Sequence, residues 1–141
     1  MKIRAMVVVL AVAAATAWFS GVANAATWKY VGKMDLASGT QWTAYVDTAS
    51  LSLNKQAGTV IYWVRFECKD NSVTFSKLVK YETKRDDSEK TRYLEFHAYY
   101  PNNSVMTESN TPEQEWQSVD EETLLRGALD TVYDVLDGKA K

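Results

Sequence analysis

The 141-residue sequence contains few of the residue types that most catalytic and metal-binding sites use. It contains one cysteine, Cys68, one histidine, His97, two prolines and six glycines. A single cysteine has no partner for an intramolecular disulfide. A metal site needs three or four ligands, and His97 with Glu67 and Glu95 is a weak set. With no Gly-rich phosphate loop, nucleophile elbow or paired-carboxylate motif, the sequence predicts no catalytic, cofactor or metal site. We therefore expect a protein that is not an enzyme.

The sequence also has no excess of positively charged residues. The chain has 16 Lys and Arg against 18 Asp and Glu, a formal net charge of −2. A surface that binds phosphates needs a basic excess, so the sequence predicts no nucleic-acid partner. No long Pro, Gly or Ser tract and no internal repeat interrupts the chain, which favours a single domain.

The first 25 residues have the pattern of a secretory signal. Lys2 and Arg4 precede the apolar stretch from Met6 to Ala17, and "ANA" stands before Ala26. The apolar stretch is too short to indicate a membrane span, and no cysteine near Ala26 offers a site for lipid attachment. We predict a cleaved signal peptide over residues 1–25 and one domain over residues 26–141, exported to the periplasm, the medium or the cell surface, with no stable membrane span after cleavage.

The middle of the chain alternates between apolar and polar residues, as half-buried strands do. In "VIYWVRFEC" Val64, Phe66 and Cys68 share one face, and Trp63 and Arg65 share the other. The same reading predicts strands in "TWKYVG", "QWTAYVD", "VTFSKLVKYETK", "RYLEFHAYY" and "SVMTES". The alternation slips between Ser76 and Val79, which predicts a bulge there. Short polar connections favour antiparallel neighbours.

Only the end of the chain changes to a helical period. Apolar residues recur with helical spacing from Leu124 to Leu136, Ser118 and Glu121 form a predicted capping box, and Gly138 is a predicted stop. The predicted fold class is α+β, with a roughly six-stranded antiparallel β-sheet and a C-terminal α-helix packed on one face.

Several short motifs occur in a recognisable order. They are "WKYVG", "AYVDTASL", a Gly-Thr-Val strand that contains Trp63, a long hairpin, and Trp116 before the helix. From Thr27 to about Leu136 the chain resembles the surface-adhesin protein E-like family, whose D-x-x-S-[IL] motif matches Asp47, Ser50 and Leu51. The resemblance implies an exported bacterial domain that binds other molecules, among them host matrix and serum proteins, and that can dimerise.

Alternation also predicts which side chains project from the sheet away from the helix. Aromatic and arginine side chains are enriched at protein interfaces, and an aromatic sheet face is costly to leave in water. The predicted interaction face contains Trp63, Arg65, Tyr93, His97 and Tyr99. Its occupant is a protein partner or a second copy of the chain, unless loops or N-terminal residues cover it. Cys68 points to the other side, as an inert buried thiol or one that forms an intermolecular disulfide.

Three functions from different classes are consistent with these features. The first is an exported, non-catalytic, adhesin-like domain that engages protein partners. The second is a periplasmic structural or envelope-maintenance protein without an external ligand. The third is a small metal-binding protein or enzyme.

Overall fold

A computed structural model describes residues 26–121 and 123–138, so the predicted signal peptide lies outside the described residues. These residues form seven strands and one helix. The strands are β1 (Trp28–Asp35), β2 (Gln41–Asp47), β3 (Ser52–Asn54), β4 (Thr59–Asp70), β5 (Val73–Lys84), β6 (Thr91–Tyr99) and β7 (Val105–Ser109), and the helix is α1 (Leu124–Leu136).

All seven strands belong to one antiparallel sheet. The strand order is β1-β2-β4-β5-β6-β7, and the short β3 pairs with the first residues of β4. The centre of the sheet is the long β4–β5 hairpin, which is paired without interruption from Thr59 opposite Lys84 to Asp70 opposite Val73. The six strands and the helix predicted from the sequence are all present, so the predicted α+β fold is confirmed; β3 is an addition.

Helix α1 packs on one face of this sheet, and the core lies between them. Leu129 and Val132 from the helix and Val46, Val60 and Val64 from the sheet are fully buried. Gly127 lets the helix approach β1 closely, because a Cβ atom at this position would lie 2.9 Å from Cγ1 of Val31. The sheet therefore has a helix side, which holds the core, and an opposite side, which we call the outward face.

The helix begins later than the sequence predicts. Its N-cap is Thr123, whose hydroxyl accepts a hydrogen bond from the backbone N–H of Arg126 at 3.1 Å. The predicted capping box at Ser118 and Glu121 is wrong, because the chain just before it is still attached to the sheet: the backbones of Thr91 and Gln117 exchange two hydrogen bonds of 2.8 Å. At the other end Gly138 has a positive φ of 75°, a conformation that suits glycine.

The D-x-x-S-[IL] motif at Asp47, Ser50 and Leu51 has a structural role. Asp47 is buried at the end of β2, and its carboxylate accepts hydrogen bonds from the backbone N–H of Thr27 at 2.9 Å and of Ala49 at 3.0 Å. The hydroxyl of Ser50 donates a further bond of 2.7 Å. Asp47 thus fastens the beginning of β1 to the turn after β2.

One irregularity in the pairing of β5 with β6 changes which side chains face the core. Lys80 pairs with Glu95, but the next residue, Tyr81, pairs with Tyr93, so Leu94 is the extra residue of a bulge. The bulge predicted between Ser76 and Val79 is wrong, since that stretch pairs regularly with both neighbouring strands.

Candidate functional site

The outward face is built by residues of six adjacent strands, β1, β2, β4, β5, β6 and β7. Trp63 and Arg65 on β4 lie opposite Lys80 and Leu78 on β5, which in turn lie opposite Glu95 and His97 on β6. The helix, the only one among the described residues, lies on the other side. We define the outward face by the residues Trp28, Tyr45, Trp63, Arg65, Leu78, Lys80, Glu95, His97, Tyr99 and Glu108, of which all but the exposed Glu108 are partly buried.

Four of the five residues predicted for the interaction face lie on it: Trp63, Arg65, His97 and Tyr99. The prediction for Tyr93 is wrong. Its ring packs edge-on against Phe96, with 5.4 Å between the ring centroids, as part of the layer around the core. The bulge at Leu94 is the reason, because one extra residue moves every side chain before it to the opposite face. Arg92 lies on the outward side instead, 3.1 Å from the carboxylate of Glu82.

Three rings form a row on the outward face. The centroids of Trp63 and His97 are 6.3 Å apart with ring planes 28° from parallel, and those of His97 and Tyr99 are 6.5 Å apart at 13°. The ammonium of Lys80 lies 5.8 Å from the centre of the Trp63 ring, a distance at which a cation–π attraction is felt. The row joins β4 to β6 across β5, so rings from distant parts of the chain act as one surface.

His97 is held in the row by two carboxylates. Its Nε2 lies 2.9 Å from Oε2 of Glu95, and its Nδ1 lies 3.0 Å from Oε1 of Glu108 on β7. Only the doubly protonated imidazolium can donate from both nitrogens. The hydrogen bond to Glu95, supported by Glu108 and opposed by desolvation, raises the pKa of His97. The bond to His97 also lowers the pKa of Glu95, and Lys80 adds to this effect.

Arg65 forms a second cluster with Trp28 and Tyr45, two residues that were not part of the predicted interaction face. Its guanidinium carbon lies 5.0 Å from the ring centre of Trp28 and 4.4 Å from that of Tyr45. Its Nε is 3.6 Å from a carboxylate oxygen of Glu67, and this buried atom makes no hydrogen bond within the described residues. The alternation in "QWTAYVD" already placed Tyr45 on the outward side, and that signal could have added it to the predicted face.

Cys68 lies on the helix side of the sheet, opposite Trp42 and Phe75. Cys68 forms no disulfide with the described residues and is only partly buried, so the prediction of a buried thiol is wrong: Cys68 stands near the end of β4 and is not a member of the buried core cluster. The intermolecular disulfide stays a prediction. Desolvation, with a smaller effect from Asp70, raises the pKa of this thiol and lowers its reactivity.

Residues 26–121 and 123–138 contain no candidate metal cluster and no candidate membrane-spanning helix. No group of three or more His, Cys, Asp and Glu side chains in these ranges is placed to hold a metal ion. No helix in them has the length and apolar character needed to cross a membrane. Within the described part of the chain, the outward face combines stacked rings with cation–π contacts of Arg65 and Lys80.

The His97 cluster predicts a pH-dependent contribution to stability. A raised histidine pKa contributes stability that is complete below about pH 6.5 and is lost as the pH rises through the folded-state value. We expect the wild type to have a higher free energy of unfolding than His97→Gln at pH 6. This difference between the two proteins should shrink by up to about 1 kcal/mol when the pH is raised to 9. Denaturant unfolding of both proteins at both pH values measures this change.

Glu108→Gln is the matched control for this prediction. It removes one carboxylate from His97, so the midpoint of the His97 ring titration, followed by NMR, should fall below that of the wild type. An equal difference in unfolding free energy at the two pH values, or a wild-type midpoint at or below about 6.5, would contradict the cluster described here.

No family model, no curated protein and no solved structure matches this chain. The class of protein is therefore defined by the fold, an α+β domain with a single antiparallel sheet and one helix. The resemblance to the surface-adhesin protein E-like family stays a prediction from the motifs.

Proposed function

We propose that the chain is an exported bacterial binding domain, adhesin-like and non-catalytic, that engages a protein partner through the outward face. One observation supports this most directly. The face combines the ring row of Trp63, His97 and Tyr99 with the Arg65 cluster, and tryptophan, tyrosine and arginine are the residues that most often dominate the energy of protein interfaces.

The arrangement of these side chains also favours binding. Each central ring is already held by a neighbour: Trp63 by Lys80 and His97, and His97 by two carboxylates. A side chain that is ordered before binding loses less entropy when a partner arrives. The mixed charge of the face favours a partner that presents both polar and apolar groups over one that is only hydrophobic.

The proposals of export and of a protein partner rest on the sequence. The pattern of residues 1–25 supports export, and the family resemblance supports a protein partner, with host matrix and serum proteins as the first candidates. The absence of a cysteine near the predicted cleavage point favours the second candidate, a periplasmic structural or envelope-maintenance protein without an external ligand.

Site-specific photo-crosslinking in the native cells tests this proposal. A photoreactive amino acid replaces Leu78, at the centre of the outward face, or Asp134, on the exposed side of α1 as the control. We expect a defined crosslinked protein from position 78 and none from position 134. Cell fractionation and surface proteolysis then separate a surface protein from a periplasmic one.

Two outcomes would contradict the proposal. One is retention of the protein in the cytoplasm with residues 1–25 still attached, shown by mass spectrometry. The other is the same pattern of crosslinks from positions 78 and 134, which would mean that the outward face has no preferred partner.

A further inference from the structure

A lysine stands on the helix side of the sheet, where apolar residues are expected. Lys77 on β5 lies opposite Phe66 on β4 and Ala98 on β6, and its neighbours on the same face of β5 are Phe75 and Val79. The next residue, Leu78, points to the outward face instead. This exchange of a charged and an apolar residue is what interrupts the alternation between Ser76 and Val79 in the sequence.

Lys77 is partly buried, and no carboxylate within the described ranges forms an ion pair with it. The contacts of its ammonium are with rings: it lies 5.5 Å from the ring centre of Phe66 and 6.0 Å from that of Trp42. Burial lowers the pKa of Lys77, which shows that its surroundings disfavour the charge. A residue that breaks the pattern of its strand at such a cost marks a candidate functional position.

A shallow groove opens beside this ammonium, between the sheet and the first turn of α1. Its volume is about 210 Å³. The residues that line it are Met34, Trp42, Phe66, Lys77, Thr123, Leu124 and Leu125. The sheet contributes the rings of Trp42 and Phe66, the helix contributes Leu124 and Leu125, and Lys77 is the single cation in a lining whose other polar residue is Thr123.

We propose that this groove binds a small amphiphile with one carboxylate and a short apolar chain. The carboxylate pairs with the ammonium of Lys77, and the chain lies between Trp42 and Leu124. We choose an anionic ligand because of charge complementarity: no carboxylate among the described residues pairs with the ammonium of Lys77, so an anion would supply that partner. A charge-assisted hydrogen bond is strong where water is partly excluded. The groove is on the opposite side of the sheet from the outward face, so this activity is independent of the proposed function.

Titration calorimetry of the protein, purified from cells that export it, tests the proposal with three probes. Octanoate carries both the charge and the chain, 1-octanol carries the chain alone, and acetate carries the charge alone. At neutral pH we expect octanoate to bind at least about tenfold more tightly than 1-octanol, a difference of about 1.4 kcal/mol, and acetate to show no binding at the same concentrations.

Three substitutions assign the charge effect to one side chain. Lys77→Met keeps the length of the chain and removes the ammonium, so it should abolish the preference for octanoate over 1-octanol. Lys77→Arg should retain the preference. Lys80→Met, on the same strand but on the outward face, is the matched control and should bind all three probes as the wild type does. Circular dichroism of each variant confirms that the fold is intact.

Several results would overturn the proposal. Equal affinity of the wild type for octanoate and 1-octanol would show that Lys77 does not select an anion, and no binding of octanoate at millimolar concentration would show that the groove is not a site for it. A loss of preference in Lys80→Met equal to that in Lys77→Met would place the charge effect elsewhere. Binding of a peptide with an apolar C-terminal residue, without binding of octanoate, would assign the groove to peptides.

Discussion

A chain that carries both Trp63→Ala and Tyr99→Ala is expected to bind its partner, or a second copy of itself, at least about thirtyfold more weakly than the wild type. Truncation of a central interface aromatic commonly costs about 2 kcal/mol or more, which corresponds to this factor. Both rings stack on His97, so their loss also removes the support that keeps the imidazole in place. The far-UV circular dichroism should stay native, because neither residue belongs to the buried core.

Sedimentation of the wild type and the double variant at matched concentrations measures self-association, and the crosslinked partner, once identified, allows the same comparison for binding. Tyr100→Ala is the control, since Tyr100 follows β6 directly and is 46 % exposed but lies outside the ring row. The interpretation of the outward face would be wrong if the wild type is monomeric and both proteins bind the partner equally.

Leu129→Ala is expected to lower the free energy of unfolding by about 2–5 kcal/mol. Leu129 on α1 is fully buried against the sheet, and alanine would leave a cavity that the helix can close only in part. Because small domains have a total stability of about 5–15 kcal/mol, this single change should remove a large fraction of it.

Urea unfolding measured by circular dichroism gives the difference, and Leu53→Ala is the matched control. Leu53 on β3 is 42 % exposed, so the same truncation should cost about 0.5 kcal/mol or less there. Equal losses at the two positions would mean that the helix does not form the core contact described above.

The local pattern of apolar and polar residues was sufficient to predict the strands, the helix and most residues of the outward face. In a strand successive side chains point to opposite faces, so the alternation from Val60 to Cys68 already separated Trp63 and Arg65 from the buried Val64 and Phe66. The spacing from Leu124 to Leu136 determined the apolar side of the helix for the same kind of reason.

The pairing between strands decided the rest. Whether Tyr93 faces the core depends on the extra residue, Leu94, in the pairing with β5, and no glycine or other local signal marks that bulge. The two carboxylates on His97 come together only because β7 pairs with β6, and Arg65 meets Trp28 only across β2. The pairing register depends on two strands that can lie far apart in the chain. The sequence of a single strand therefore determines which residues share a face, whereas the tertiary structure determines what each face contacts.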